Sequence, residues 1–79
     1  MIPQNLKNSF DMYVNHGIPT GGFLQAVLEN NLMEAMGRAD DWNREILFEI
    51  CSYVYNDMPA ACHGNKEKVR KWIEERRIE

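Results

Sequence analysis

The apolar positions of this chain recur at helical spacing along its length. Leu6, Phe10, Tyr13 and Val14 fall three or four residues apart or side by side, and predict a first helix over about Gln4 to His16 with these four as its buried stripe. Phe23, Leu24, Val27 and Leu28 do the same for a second helix over about Gly21 to Asn30. Asn30-Asn31 reads as a break, because Asn tolerates the left-handed conformation. A short third helix follows from Leu32 to about Met36, closed by Gly37. The fourth, about Asp41 to Tyr55, is the longest and most apolar. Projected at about 100° per residue, Leu47, Ile50, Cys51 and Val54 share one side. Trp42, Ile46 and Tyr53 widen that side in one direction, and Phe48 and Tyr55 in the other. The polar arc is narrow: Glu45, Glu49, Ser52 and Asn56. A final helix over about Lys66 to Arg76 turns Val69, Trp72 and Ile73 inward. No window alternates at a period of two, so no strand is predicted.

This pattern places the chain in the all-α class, as a compact bundle of roughly four to five short helices. The fourth helix, about 41–55, is expected at its centre, with Leu47, Ile50, Val54 and Trp72 largely buried and Leu24, Val27 and Leu28 around them. The sharpest local signal is Gly17-Ile18-Pro19-Thr20-Gly21-Gly22. Gly17 suits the left-handed position just past a helix end, with Ile18 packing back on Tyr13. Pro19 prevents the first helix from continuing and can staple against Leu24, and Thr20 is placed to cap the second. Asp40 and Asn65 are the expected caps of the fourth and last helices. Asn56-Asp57-Met58-Pro59 ends the fourth helix, and Ala60 to Gly64 reads as a loop.

A chain of 79 residues, 44% hydrophobic and 27% charged, implies one globular domain over residues 1–79 with one small core. A core of that size is marginal, and a homodimer is one source of further stability. No apolar run reaches the length of a membrane span, and Met1-Ile2-Pro3-Gln4 lacks the basic start and apolar stretch of a signal peptide. Cys51 and Cys62 are too few for a disulfide scaffold, and free thiols fit a reducing cytoplasm.

The net charge of −3 is unevenly distributed. Residues 1–65 carry three cations against eight anions, a net −5, and residues 66–79 six cations against four anions, a net +2. The acidic body disfavours nucleic acid and favours basic protein surfaces. The alternating signs of the C-terminal segment read as a solvated helix face.

Four constellations invite chemistry, and each has a plainer reading. Cys62, His63 and His16 are metal-ligand types, but structural zinc takes four ligands, and neighbouring Cys62 and His63 cannot easily reach one ion. A cysteine nucleophile needs an oriented base and an oxyanion site, and nothing in the pattern supplies them for Cys62. Cys51 falls on an apolar helix face and reads as a small core residue. Thr20-Gly21-Gly22 opens a helix, where anions can bind, but no Gly-Lys-Ser or Gly-Lys-Thr follows. The helix pair around that turn suggests a helix-turn-helix. Its would-be recognition segment, Phe23 to Met36, carries Glu29 and Glu34 and no cation, which makes it a poor reader of DNA. No metal, no cofactor and no catalysis are therefore expected.

What stands out is the acidic middle of the chain: Glu29, Glu34, Asp40, Asp41, Glu45 and Glu49. It is either a solvated surface or a negative patch that docks on a basic partner. The aromatic flank of the fourth helix, Trp42 and Tyr53, is the competing docking surface. The candidate partner-binding residues are thus Glu34, Asp41, Trp42, Glu45, Glu49 and Tyr53.

The strings Gly17-Ile18-Pro19-Thr20-Gly21-Gly22-Phe23-Leu24, Ala26-Val27-Leu28-Glu29-Asn30, Glu34-Ala35 and Gly37-Arg38-Ala39-Asp40 resemble small helical proteins of tailed phages and prophages. The resemblance continues through Tyr53-Val54-Tyr55-Asn56, Pro59, Cys62, Gly64, Val69 and Trp72, and so spans most of the chain. Such proteins often place a bulky aromatic between the cysteine and the glycine, where this chain has His63. The resemblance implies a phage accessory protein acting in the cytoplasm of an infected bacterium. Such proteins often bind and block host machinery, CRISPR effectors and other defence enzymes included. The expected function is therefore non-enzymatic inhibition of a host protein, of the anti-CRISPR or another anti-defence type. The alternatives are a structural, assembly or replication role in the phage, or nucleic-acid binding through the basic C-terminal helix.

Overall fold

A computed structural model describes residues 2–76 as an all-helical chain. Its helices are α1 (Gln4–His16), α2 (Gly22–Leu28), α3 (Leu32–Arg38), α4 (Asp41–Glu45), α5 (Leu47–Asp57) and α6 (Lys66–Arg76), with one turn of 3₁₀-helix at Ala60–Cys62. No strand occurs among the described residues. The radius of gyration is 11.7 Å. The scaling law for compact domains gives about 12 Å at this length.

The two longest expected helices outside the middle of the chain, α1 and α6, form over the predicted spans. The middle differs. Four to five helices were expected, and the described residues hold six α-helices, because the segment 41–55 is interrupted. Ile46 leaves helical geometry (φ −110°, ψ 16°) and packs half-buried on the core. Tertiary burial of that side chain outweighs the weak preference of five residues for continuing one helix. α3 also runs through Gly37 to Arg38 rather than stopping there. One glycine inside a helix costs only about 1 kcal/mol, which the burial of Ala35 and Ala39 against the core offsets.

The caps follow the side-chain chemistry. Asp40 Oδ1 accepts from the Asn43 N–H at 2.8 Å, and Asn65 Oδ1 from the Lys68 N–H at 2.8 Å. Asn30 takes the left-handed conformation at φ 62°, and Asn31 then caps α3 through the Glu34 N–H. Thr20 does not cap α2. Gly21 occupies that position, and the Thr20 hydroxyl donates instead to the Gly21 carbonyl at 3.5 Å.

Phe10, Tyr13, Leu28, Ile50, Cys62 and Val69 are completely or almost completely buried, so α1, α2, α5, the 3₁₀ turn and α6 all meet in one core. Leu47 and Trp72, expected among the buried residues, are only half-buried. Leu47 is the first residue after the break, where little covers a helix end. Trp72 stays at the core's edge because its indole N–H reaches the Tyr13 carbonyl at 3.2 Å.

That bond belongs to the junction of α1 and α6. The last carbonyls of a helix lack partners within it. Here the Tyr13 carbonyl also accepts from the Gly17 N–H at 2.9 Å, and the Val14 carbonyl accepts from Arg76 Nε at 3.1 Å. Gly17 has φ 68°, and a Cβ there would sit 2.8 Å from the Arg76 Cβ and 3.0 Å from the Ile73 carbonyl oxygen. Glycine is required twice over, by the left-handed turn and by the approach of α6.

Gly17→Val should therefore lower stability by about 2–4 kcal/mol in a urea titration, and Gly17→Ala by less but still measurably. Ile50→Ala should cost about 2–5 kcal/mol by the same measurement, and half-buried Leu47→Ala only about 1–2 kcal/mol. Equal costs at positions 47 and 50 would contradict the difference in their burial.

Candidate functional site

The outer surface of α3, α4 and α5 is where this chain departs from an ordinary helical surface. Phe48 and Tyr55 are each 80% exposed and Trp42 60%. Phe48 and Tyr55 stand seven residues apart on α5, on one stripe of the helix. On α3, Leu32, Met33 and Met36 share an outward face while Ala35 turns inward. Of the eight exposed large hydrophobic residues among those described, six lie between residues 32 and 55. Isolated exposed apolar side chains are ordinary, and here six of them fall on three consecutive short helices.

The sequence-predicted residues divide over this surface. Trp42 and Glu45 stand exposed on α4, and Glu49 exposed on α5. The break at Ile46 puts Glu45 and Glu49 on different helices, so they do not form the one-turn pair of an unbroken helix. Asp41 is exposed but paired with Arg44. Glu34 pairs with Arg38 and lines a separate groove of mixed polarity, about 720 Å³, between α2, α3 and α6, shared with Lys66 and Arg70. Tyr53 is half-buried, its ring stacked on Phe10 at 5.5 Å between centroids and 24° between planes. Burial raises its phenol pKa, with Asp11 and then Asp57 adding to the shift. Its ring serves the core edge, which weakens its candidacy as an anchor for a partner. Phe48, Tyr55, Met33 and Met36 were not among the predicted site residues. Their signal was present in the spacing: seven residues between the aromatics, and three between methionines flanking an inward alanine.

A second groove, about 410 Å³, runs beside this surface and is mostly apolar. Val27 and Leu28 of α2, Cys51, Val54 and Tyr55 of α5, and Leu32 form its walls. His63 and Lys68 line it from the other side. Above α2, the Gly64 N–H donates to the Leu28 carbonyl at 2.7 Å, at a glycine with φ 127°. The Tyr13 hydroxyl donates to the Cys62 carbonyl at 2.6 Å. Burial raises the Tyr13 phenol well above its ordinary range, with Cys62 next in effect. The His63 imidazole is held below its ordinary range by burial, the Met58 carbonyl opposing and Lys68 reinforcing that shift. Its Nε2 is enclosed and has no hydrogen-bond partner.

The two cysteines have unequal surroundings. Cys62 is fully buried, and burial pushes its thiol up to about 11. Cys51 is half-buried at the groove, and burial raises its thiol too. A nucleophilic cysteine needs a lowered pKa and access, and Cys62 has neither. No three His, Cys, Asp or Glu side chains among the described residues gather as a metal site. No helix among them is long and apolar enough to cross a membrane. No protein-family model, curated protein or solved structure matches the chain.

In the folded protein at neutral pH, a thiol reagent should modify Cys51 slowly and leave Cys62 untouched. Both should react once guanidinium unfolds the chain. Mass spectrometry of the labelled peptides checks this, and rapid native labelling of Cys62 would contradict its burial.

Proposed function

We propose that this is a non-enzymatic interaction protein whose α3–α5 surface docks on another protein. The concentration of exposed large apolar side chains between Leu32 and Tyr55 carries this reading. Glu45 and Glu49 border Trp42 and Phe48 with negative charge. An apolar surface interspersed with acids suits a partner that offers apolar pockets within a basic face. In this reading the 41–57 segment works on both sides. Its inner side gives Ile50 and Val54 to the core, and its outer side meets the partner. An isologous dimer through the same surface would set like charges opposite each other, which disfavours a second copy as the occupant.

The resemblance to phage and prophage proteins supplies the setting: a phage accessory protein in the host cytoplasm that binds and inhibits a host protein, of the anti-CRISPR or another anti-defence type. The C-terminal helix is a weaker candidate for nucleic acid. Arg70 is engaged by Glu67 and Glu74, and Arg76 lies over the Trp72 ring while bonding the Val14 carbonyl. Arg76 is thereby held within the fold, and the acids beside Arg70 offset the charge that a phosphate would meet.

The test is affinity capture from host lysate with mass spectrometry, followed by binding measurements on the purified prey. A host defence enzyme as the main prey supports the proposal, and a virion protein or nucleic acid overturns it. Trp42→Ala combined with Phe48→Ala should weaken binding at least tenfold with the fold intact by circular dichroism. Glu45→Lys combined with Glu49→Lys should mainly slow association, and high salt should mimic it. Binding indifferent to all four substitutions would place the interface elsewhere.

A further inference from the structure

His63 lies between two anchors. On one side the Tyr13 hydroxyl holds the Cys62 carbonyl, and on the other the Leu28 carbonyl accepts from the Gly64 N–H. Between them the imidazole faces the apolar groove, and its Nε2 is enclosed without a partner. The surroundings decide what that ring tolerates. α2 brings Val27 and Leu28, α3 brings Leu32, α5 brings Cys51, Val54 and Tyr55, and α6 brings Lys68. Among the described residues lining the groove there is no carboxylate, and the charged group besides the ring is the Lys68 ammonium. An unpaired neutral nitrogen in such a place is a modest burden. A protonated one is a charge with an unmet donor beside another cation, which is far less tolerable.

We propose that His63 is a proton-sensitive latch: protonation of its imidazole releases the Met58–Gly64 segment from Tyr13 and Leu28, opens the groove and bares Cys62. Each anchor is one residue from the ring, so movement of the ring into water draws on both bonds. Burial favours the neutral ring in the closed fold, with the Met58 carbonyl opposing that preference and Lys68 reinforcing it. The closed state therefore has its full stability above the ordinary imidazole pKa of about 6.5, and loses it as pH falls from there toward the depressed folded-state value.

Amide hydrogen exchange followed by NMR tests this, with rates expressed as protection factors to remove the intrinsic pH dependence. In the wild-type protein the Gly64 amide should lose up to about tenfold in protection per pH unit below about 6.5, until the folded ring itself titrates. The Val54 amide, inside α5, should keep its protection over the same range. His63→Gln should flatten the Gly64 profile, with His63→Asn as the second variant if the first does not fold. Unchanged Gly64 protection while the ring's own resonances titrate would overturn the latch, because the ring would then have found a partner without opening the segment. A loss shared equally by Gly64 and Val54 would also overturn it, as global acid unfolding. The wild-type comparison decides between these results even if neither variant folds.

Discussion

Tyr13 holds this fold together through three hydrogen bonds made at two ends of one residue. Its hydroxyl reaches the Cys62 carbonyl, and its own carbonyl receives both the Gly17 N–H and the Trp72 indole. The residue is completely buried, so none of these groups has water as an alternative. The 3₁₀ segment, the end of α1 and the face of α6 are thereby fixed to a single point. A chain this short cannot rely on apolar area alone, and directional bonds in a dry centre specify which packing is adopted. The glycine at position 17 follows from that geometry, since the helix that brings Trp72 and Arg76 to α1 passes where a side chain would otherwise be.

The outer helices were legible because local chemistry and core packing agree there. Gln4 to His16 has a clean apolar stripe and a glycine stop, and Lys66 to Arg76 has an Asn cap and an inward Val69. The interruption at Ile46 was not legible. It has no glycine or proline to mark it, and its cause is the place that a half-buried side chain finds among distant residues. The same limit applies to Cys62. Its position after Pro59 read as loop, and only the hydroxyl of Tyr13, 49 residues away in sequence, shows why it lies in the core. Thr20 failed as a cap because Gly21 took the position, a choice between neighbours that composition does not rank.

The candidate surface was half legible for a related reason. A helical projection sorts residues by angle but does not say which apolar side faces inward when a helix is apolar most of the way round. Tyr53 and Phe48 fell on opposite flanks of the apolar side, and the projection favoured Tyr53 as the docking residue. The stack on Phe10 claims Tyr53 for the core edge and leaves Phe48 outside. Charges were ambiguous as well, because Glu34 and Asp41 satisfy arginines on their own helices while Glu45 and Glu49 lie outside the ion pairs seen among the described residues.

The short helix α4 contributes no buried side chain. It is held by its Asp40 cap and by the chain on either side, while Trp42 projects from it. A segment that adds little to the core is free to vary without endangering the fold. Residues 41–45 thus form a region whose side chains can change while the scaffold stays constant. Sequence variation tolerated by the fold would accumulate there first.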